Sequence, residues 1–361
     1  MKKIALVYDW LTSFGGAERV IEAILKIWPQ AELFASVYNE ASKNFTNVQT
    51  TFVQKLPLSK LKPFIYYPIL PIAFEQFNFD NFDLVISISS GPAKAIITKP
   101  ETFHLNYCLT PPRYLWQKKF LPFPLKYFFP FLFPLRIQDY ILARRPDVIF
   151  TISKTSQKRI KKFYNLASEV IYPGVDLEQF RPAKTTSNKQ KPYFLLVSRL
   201  VEYKNVDLAI KSFNMIGLRL KIIGTGRQIN YLKKIAGKTI EFLGQVDDQR
   251  LVEEYQNCQA LICPQEEDFG LTSIEVQACG KPVISFALGG AQETIISGKT
   301  GEFFYPQTPA ALAETLLKFN PNKYKIQDCL ANAKNFDLKK FMVLFKNKTE
   351  ARWQQYKKKL R

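Results

Sequence analysis

Short apolar runs alternate with amphipathic helical patterns along nearly the whole chain, and this rhythm is the signature of parallel β/α units rather than of a sandwich or a bundle. In the first half the strand candidates are KIALVYD, AELFASVY, FDLVISIS, FHLNYCLT and DVIFTIS. Between the first two, AERVIEAILKIW keeps Val20, Ile21, Ile24, Leu25 and Trp28 at helical spacing. The rhythm breaks from Pro173 to Pro192, where proline, serine, lysine and asparagine replace the apolar periodicity. It restarts with YFLLVSR, LRLKIIG, TIEFLG, ALICP and PVISFA. A length of 361 residues also exceeds what one core usually organises. The expected division is a first domain over 1–178, a linker over 179–192, a second domain over 193–335, and a C-terminal helix over 336–361 able to cross back to the first domain. Both domains are expected to be α/β and Rossmann-like, with mainly parallel sheets.

The formal charge of +20, from 51 Lys and Arg against 31 Asp and Glu, calls for an anionic partner without naming it. Five cysteines, Cys108, Cys258, Cys263, Cys279 and Cys329, sit among apolar neighbours without paired spacing and read as buried free thiols. With one histidine, His104, a mixed His and Cys metal site is not expected. The N-terminal apolar run meets Asp9 too early for a signal-peptide core, so a cytoplasmic protein is expected. Residues 113–136, RYLWQKKFLPFPLKYFFPFLFPLR, hold five basic side chains, no acidic ones and many aromatics. Two readings stand side by side: a core-packing insertion, or a patch that meets an anionic membrane surface on the inner face.

The chemistry concentrates in EDFGLTSIEVQACGKPVIS, which sets Glu267 and Glu275 on either side of a glycine turn, eight positions apart. With ALICP as a strand and TSIEVQAC as a helix, Glu267 falls in the loop at the strand's C-terminal end and Glu275 about one turn into the helix. Open α/β sheets bind ligands there. Gly270, Leu271 and Thr272 would offer unpaired N–H groups and a hydroxyl to a phosphate. In VSRLVEYKNVDLAI, Arg199 ends a strand and Lys204 precedes a helix. An arginine fork and a lysine point charge suit a diphosphate leaving group. Solvated surface charge is the plainer reading of both. Gly224 in KIIGTGRQ marks a strand-to-helix turn that serves either a nucleotide loop or simple packing. Gly15 and Gly16 open the first helix and permit close backbone contact with a phosphate or sugar, yet form no GxGxxG pattern, which disfavours a nicotinamide cofactor.

Taken together, GGAERV, SRLVEYKN, GTG, FLGQVDD and EDFGLTSIEVQACGKPVIS resemble the retaining glycosyltransferases of family 4, which have the GT-B fold with two Rossmann-like domains facing a central cleft. NYCLTPPRYLW is similar to the mannosyltransferase-like branch that builds bacterial surface polysaccharides. The resemblance implies that Glu267 touches donor-sugar hydroxyls, that Glu275 binds the ribose, and that Arg199 and Lys204 grip the diphosphate. It gives Phe269, Gly270, Leu271 and Thr272 to the donor site, with Gly16 on the phosphate side from the other domain. The loop Gln245, Val246 and Asp248 approaches the base, where Asp248 could accept paired N–H donors of guanine, favouring GDP over UDP. The implied reaction transfers a hexose, mannose from GDP-mannose, with retention onto a glycan or polyprenyl-linked acceptor. It needs no metal and no cofactor beyond the nucleotide sugar. Many members carry histidine where this chain has Leu109, and His104, an odd number of positions away on the same strand, faces the other side.

Two other functions fit parts of the sequence. A sugar-nucleotide epimerase or hydrolase could use the same fold. A basic nucleic-acid-binding protein would explain the charge, but the cations are spread along the chain with no binding module, so nucleic acid is not expected as a partner.

Overall fold

The computed structural model describes residues 3–40, 45–121, 125–183 and 191–360. It divides into two compact units, Met1–Pro173 with Lys340–Arg361, and Gly174–Lys339. The division falls at Pro173, where the apolar rhythm breaks, and residues 184–190 of the expected linker lie outside the described residues.

The first unit is built on a seven-stranded sheet. Its strands are β1 (Ile4–Tyr8), β2 (Glu32–Ala35), β3 (Gln49–Thr50), β4 (Leu84–Ser89), β5 (Phe103–Cys108), β6 (Val148–Thr151) and β7 (Glu169–Val170). They run in the order β3-β2-β1-β4-β5-β6-β7, and every pairing is parallel. β1, β4 and β5 are buried along their whole length, as strands covered on both faces must be, which is why they read as near-continuous apolar runs. Phe34, Phe79 and Phe82 pack edge to face with one another in a core cluster shared with Phe74, Val7 and Val85.

Polar residues enter this core in hydrogen-bonded sets, with His104 Nδ1 left without a partner. His104 Nε2 lies 2.8 Å from Ser87 Oγ, and Asn106 Nδ2 donates to Ser87 Oγ and Ser89 Oγ at 2.9 Å each. Burial pushes the His104 imidazole down to about 3, so it is a neutral structural side chain. Asp9, past the end of β1, accepts from the N–H groups of Ser90 and Ala93, both at 2.8 Å, and ties β1 to the turn after β4. Its burial raises the carboxyl to about 6. Lys94 Nζ reaches Asp139 Oδ1 at 2.6 Å, both nearly inaccessible, while Trp116 and Tyr164 donate to the other Asp139 oxygen at 2.7 and 2.8 Å.

The second unit carries a six-stranded sheet of β8 (Phe194–Val197), β9 (Leu220–Ile223), β10 (Ile240–Gly244), β11 (Leu261–Cys263), β12 (Val283–Phe286) and β13 (Gly301–Phe304). The order is β10-β9-β8-β11-β12-β13, again all parallel. Its core joins Phe194, Leu196, Ile210, Phe213, Ile222, Ile262 and Ile284. Strand order reverses between β8 and β11, so the loops leaving those two strands part to either side and open a crevice at the C-terminal edge of the sheet.

The helix Leu338–Leu360 belongs, from Lys340 onward, to the first unit. Phe345 packs against Trp28, Tyr107 and Phe150, and Lys348 and Arg352 pair with Glu169. β3, β7 and β13 were not among the expected strands. Two of them are two-residue edge strands, too short for any periodicity, and β13 begins at Gly301, where a Cβ would stand 2.1 Å from the carbonyl oxygen of Val283. All five cysteines are buried, and none forms a disulfide. No helix among the described residues is long and apolar enough to cross a membrane.

Candidate functional site

The crevice between β8 and β11 is assembled from three loops of the second unit. After β8 the chain runs through Ser198, Arg199 and Leu200, held against the loop after β9 by Ser198 N–H to the Ile223 carbonyl at 3.0 Å and Leu200 N–H to the Thr225 carbonyl at 2.8 Å. The two glycines of that second loop make the approach possible. A Cβ on Gly224, whose φ is +134°, would stand 1.9 Å from the Ser198 carbonyl oxygen, and one on Gly226 would stand 2.3 Å from that of Leu200. Gly224 therefore serves backbone packing that positions the Arg199 loop.

Lys204 ends the short turn Glu202–Lys204 and is followed by Asn205, left-handed at φ +50°, which starts the helix Val206–Ile216. Its ammonium donates to Glu267 Oε1 at 2.7 Å, with the side chains only 13% and 16% exposed. A cation leaving β8 and a carboxylate leaving β11 thus meet across the point where the strand order reverses. Gln265, 2% exposed, donates through Nε2 to the same Glu267 oxygen. An ionised carboxylate only accepts, which fixes the amide nitrogen on that side. The Gln265 Oε1 atom is buried with no hydrogen-bond partner.

The Glu267 loop is clamped from behind by the turn after β12. Gly290 N–H donates to the Glu267 carbonyl at 2.8 Å. A Cβ on Gly289 would lie 2.3 Å from the Glu267 carbonyl oxygen, and one on Gly290 would lie 2.4 Å from Phe269 Cα. Phe269 is buried edge to face on Phe336, so its ring anchors the loop and leaves ligand contact to the backbone. Gly270, at φ +98°, then turns the chain into the helix Leu271–Ala278, with no side-chain cap. The first N–H groups of a helix have no intrahelical acceptor, and together with the helix dipole they favour an anion at Leu271 and Thr272. The Cys263 thiol beneath this turn is pushed up to about 12 by burial and by the nearby Glu267 charge, so it stays protonated.

The remaining sequence-derived residues fall in several places. Arg199 is exposed and donates to the Tyr203 hydroxyl at 2.6 Å. Glu275 is buried and accepts from Tyr255 of the helix Asp248–Asn257 at 2.8 Å. Gln245 and Val246 lie in the loop after β10, where Asp247, rather than Asp248, caps the helix by accepting from Arg250 N–H at 2.8 Å. Asp248 is the first helical residue and is exposed. Gly15 and Gly16 lie in the first unit, where Gly15 precedes the helix Gly16–Ile27 and buried Glu18 occupies its first turn, hydrogen-bonded by the Tyr8 hydroxyl at 3.1 Å. Leu109 is buried, and its N–H extends the pairing to Ser89 at 2.8 Å. Sequence reading missed Gln265, Gly289, Gly290 and Tyr255. Only the adjacent glycines after a strand carried a visible signal.

Two parallel-sheet Rossmann-like units, with a cation and a carboxylate at the reversal point of the second, define the GT-B class of fold. Comparison with known proteins agrees. Residues 177–336, which lie within the second unit, match the family model described as Glycosyl transferases group 1. An uncharacterized glycosyltransferase of Methanocaldococcus jannaschii is 28% identical over 54% of this chain and 55% of its own length. A GDP-mannose-dependent monoacylated α-(1-6)-phosphatidylinositol monomannoside mannosyltransferase of Corynebacterium glutamicum is 29% identical over 41% of this chain and 46% of its own. The chain spans about half the length of the curated relatives it matches. Among solved structures, sucrose-phosphate synthase of Thermosynechococcus elongatus superposes with a TM-score of 0.78 at 16% identity, over 98% of this chain and all of that one. Anabaena HepE in complex with UDP gives 0.74 at 17% identity, over 97% of this chain and all of that one. Likeness at this identity establishes the fold.

Proposed function

We propose that the protein is a glycosyltransferase that takes a hexose from a nucleoside-diphosphate donor and transfers it with retention to a hydroxyl of a glycan or lipid-linked acceptor in surface-polysaccharide synthesis. The observation that carries this reading is the Lys204 to Glu267 pair, seated with Gln265 at the reversal point of a sheet whose residues match the group 1 family. In the proposed reaction the bond between the anomeric carbon and the diphosphate breaks as the acceptor oxygen bonds the same face of that carbon. The acceptor proton passes to a leaving-group oxygen. Charge then grows on the diphosphate, and Arg199, Lys204 and the N–H groups at Leu271 and Thr272 are the groups that would stabilise it. Glu267 would hold donor-sugar hydroxyls and Glu275 the ribose. No metal or additional cofactor enters this scheme.

The Corynebacterium relative's name supports a GDP-linked mannose, in keeping with the proposed contact of Asp248 with the base, while the HepE structure was determined with UDP. Calorimetric titration with GDP, UDP and ADP and then with their sugars tests the donor, with tightest binding of GDP and GDP-mannose expected. Glu267→Ala and Lys204→Ala are expected to lower turnover by roughly 100- to 1000-fold, the usual loss on removing one electrostatic stabiliser, with folding retained. Turnover equal to that of the native protein would overturn the assignment. Product analysis with and without acceptor distinguishes transfer from hydrolysis, and the anomeric configuration of the product tests retention.

A further inference from the structure

The first unit holds a second concentration of charge that the donor cluster does not use. The helix Lys154–Tyr164 after β6 carries Lys154, Lys158, Arg159, Lys161 and Lys162 and no acidic residue. Beside it stand the helix Arg113–Trp116 and the turn Lys118–Phe120, which follow β5. Between them opens a cavity of about 440 Å³ walled by Trp116 and Phe163 and by four cations, Lys119, Lys158, Arg159 and Lys162, with Gln117 completing a lining that contains no carboxylate among the described residues.

The walls are built rather than incidental. Trp116 and Phe163 stack at 5.1 Å and 15°. The indole is fixed by its N–H to Asp139 Oδ2 at 2.7 Å. Arg159 is buried and donates to Thr110 Oγ1 at 3.2 Å, which holds the guanidinium in place. Lysines near a helix C-terminus gain from the dipole, and Lys161 also bonds Asn165 at 2.8 Å. That accounts for Lys161 and part of Lys162. It does not account for Lys158 in mid-helix. Like charges four apart destabilise a helix, and a cavity that gathers four of them gains most from an anion that several can share.

We propose that this cavity binds a phosphate or diphosphate group. Arg159 supplies a planar fork and the lysines supply point charges, while the Trp116 and Phe163 pair offers a flat apolar wall to whatever carries the phosphate. The carrier is either a lipid or a soluble molecule. The neighbouring segment exposes Tyr127, Phe131 (77% exposed) and Phe133, and it is joined to the cavity wall by Arg136 Nε donating to the Leu115 carbonyl at 2.7 Å.

The test uses the full chain and two charge-reversal pairs of equal net change, Lys158→Glu with Lys162→Glu in the cavity and Lys233→Glu with Lys234→Glu on an exposed helix of the second unit. Inorganic pyrophosphate titrated by calorimetry, and flotation with phosphatidylcholine vesicles containing about one third phosphatidic acid, probe the two carriers. The cavity pair is expected to lose about ten-fold or more in affinity for at least one probe, and the control pair less than about two-fold. Loss confined to vesicles assigns the phosphate to a lipid, and loss confined to pyrophosphate assigns it to a soluble ligand. Equal behaviour of the two variants, or no binding of either probe by the native chain, overturns the proposal. Thermal melts establish that both variants are folded. The milder Lys158→Ala with Lys162→Ala, expected to show the same loss in smaller measure, replaces the reversal pair if it unfolds.

Discussion

At the scale of single residues, the proposed donor cluster turns on a carboxylate whose charge is held by two different hydrogen-bond donors. Lys204 supplies charge and Gln265 supplies direction, both to Glu267 Oε1. Gln265→Leu removes one charge-assisted hydrogen bond, worth about 1.5–3 kcal/mol, so kcat/KM for transfer should fall roughly 10- to 100-fold. The same change removes a buried amide oxygen that has no partner, so the melting temperature should hold or rise. Falling activity at preserved stability marks a positioning residue; a parallel loss of both would mark a structural one. Two other buried groups set opposing pH responses. Asp9 is raised from 3.8 to about 6, so the folded state binds the extra proton and stability falls as pH rises through that interval. His104 is lowered from 6.5 to about 3, so the unfolded state binds the extra proton and stability falls as pH drops from 6.5. Between pH 4 and 6 the two slopes cancel. In His104→Gln only the Asp9 slope remains, and unfolding free energies should show the variant gaining on the native protein by about 3 kcal/mol from pH 6 to pH 4. An unchanged difference across that range would remove this account.

At the scale of elements, the site depends on backbone approaches that no side chain could make. Gly290 lies against Phe269 and Asp268, where an added Cβ would meet Phe269 Cα at 2.4 Å and the Asp268 carbonyl oxygen at 2.6 Å. Neither neighbour is the end of a flexible side chain, so Gly290→Ala must displace the Glu267 loop. We expect it to cost at least about 2 kcal/mol in chemical denaturation and to depress turnover with it. Gly217→Ala is the matched control, because its φ of +68° strains any side chain but nothing stands within 4 Å. It should cost only about 1 kcal/mol and leave turnover intact.

At the scale of the whole molecule, the two units differ in how their chain is assembled. The second is continuous, Gly174–Lys339, whereas the first is completed by the last 22 residues, Lys340–Arg361. Phe345 and Trp353 are fully buried and Phe341 nearly so. Truncating a buried large aromatic costs about 3–5 kcal/mol, and removing all three rivals the entire stability of a domain. A chain ending at residue 339 should therefore lose the cooperative melt of the first unit while a second transition persists in calorimetry. Two intact transitions in the truncated chain would show that the helix is dispensable.

The sequence by itself determined the architecture, because strands buried on both faces must be apolar throughout, and that pattern survives in any one-dimensional reading. It also determined the local chemistry around Glu267, since a strand, a glycine turn and a helix lie within a few residues of one another. Tertiary structure alone decided which side chains meet. Lys204 and Glu267 are 63 positions apart, and their contact follows from β8 pairing with β11, a strand order that no periodicity encodes. Gln265 stayed invisible for the same reason, and Gly289 and Gly290, legible as a turn after a strand, gave no sign of what they clamp. Their roles come from neighbours brought in by the fold: a carboxylate to orient in one case, a backbone that leaves no room for a Cβ in the other.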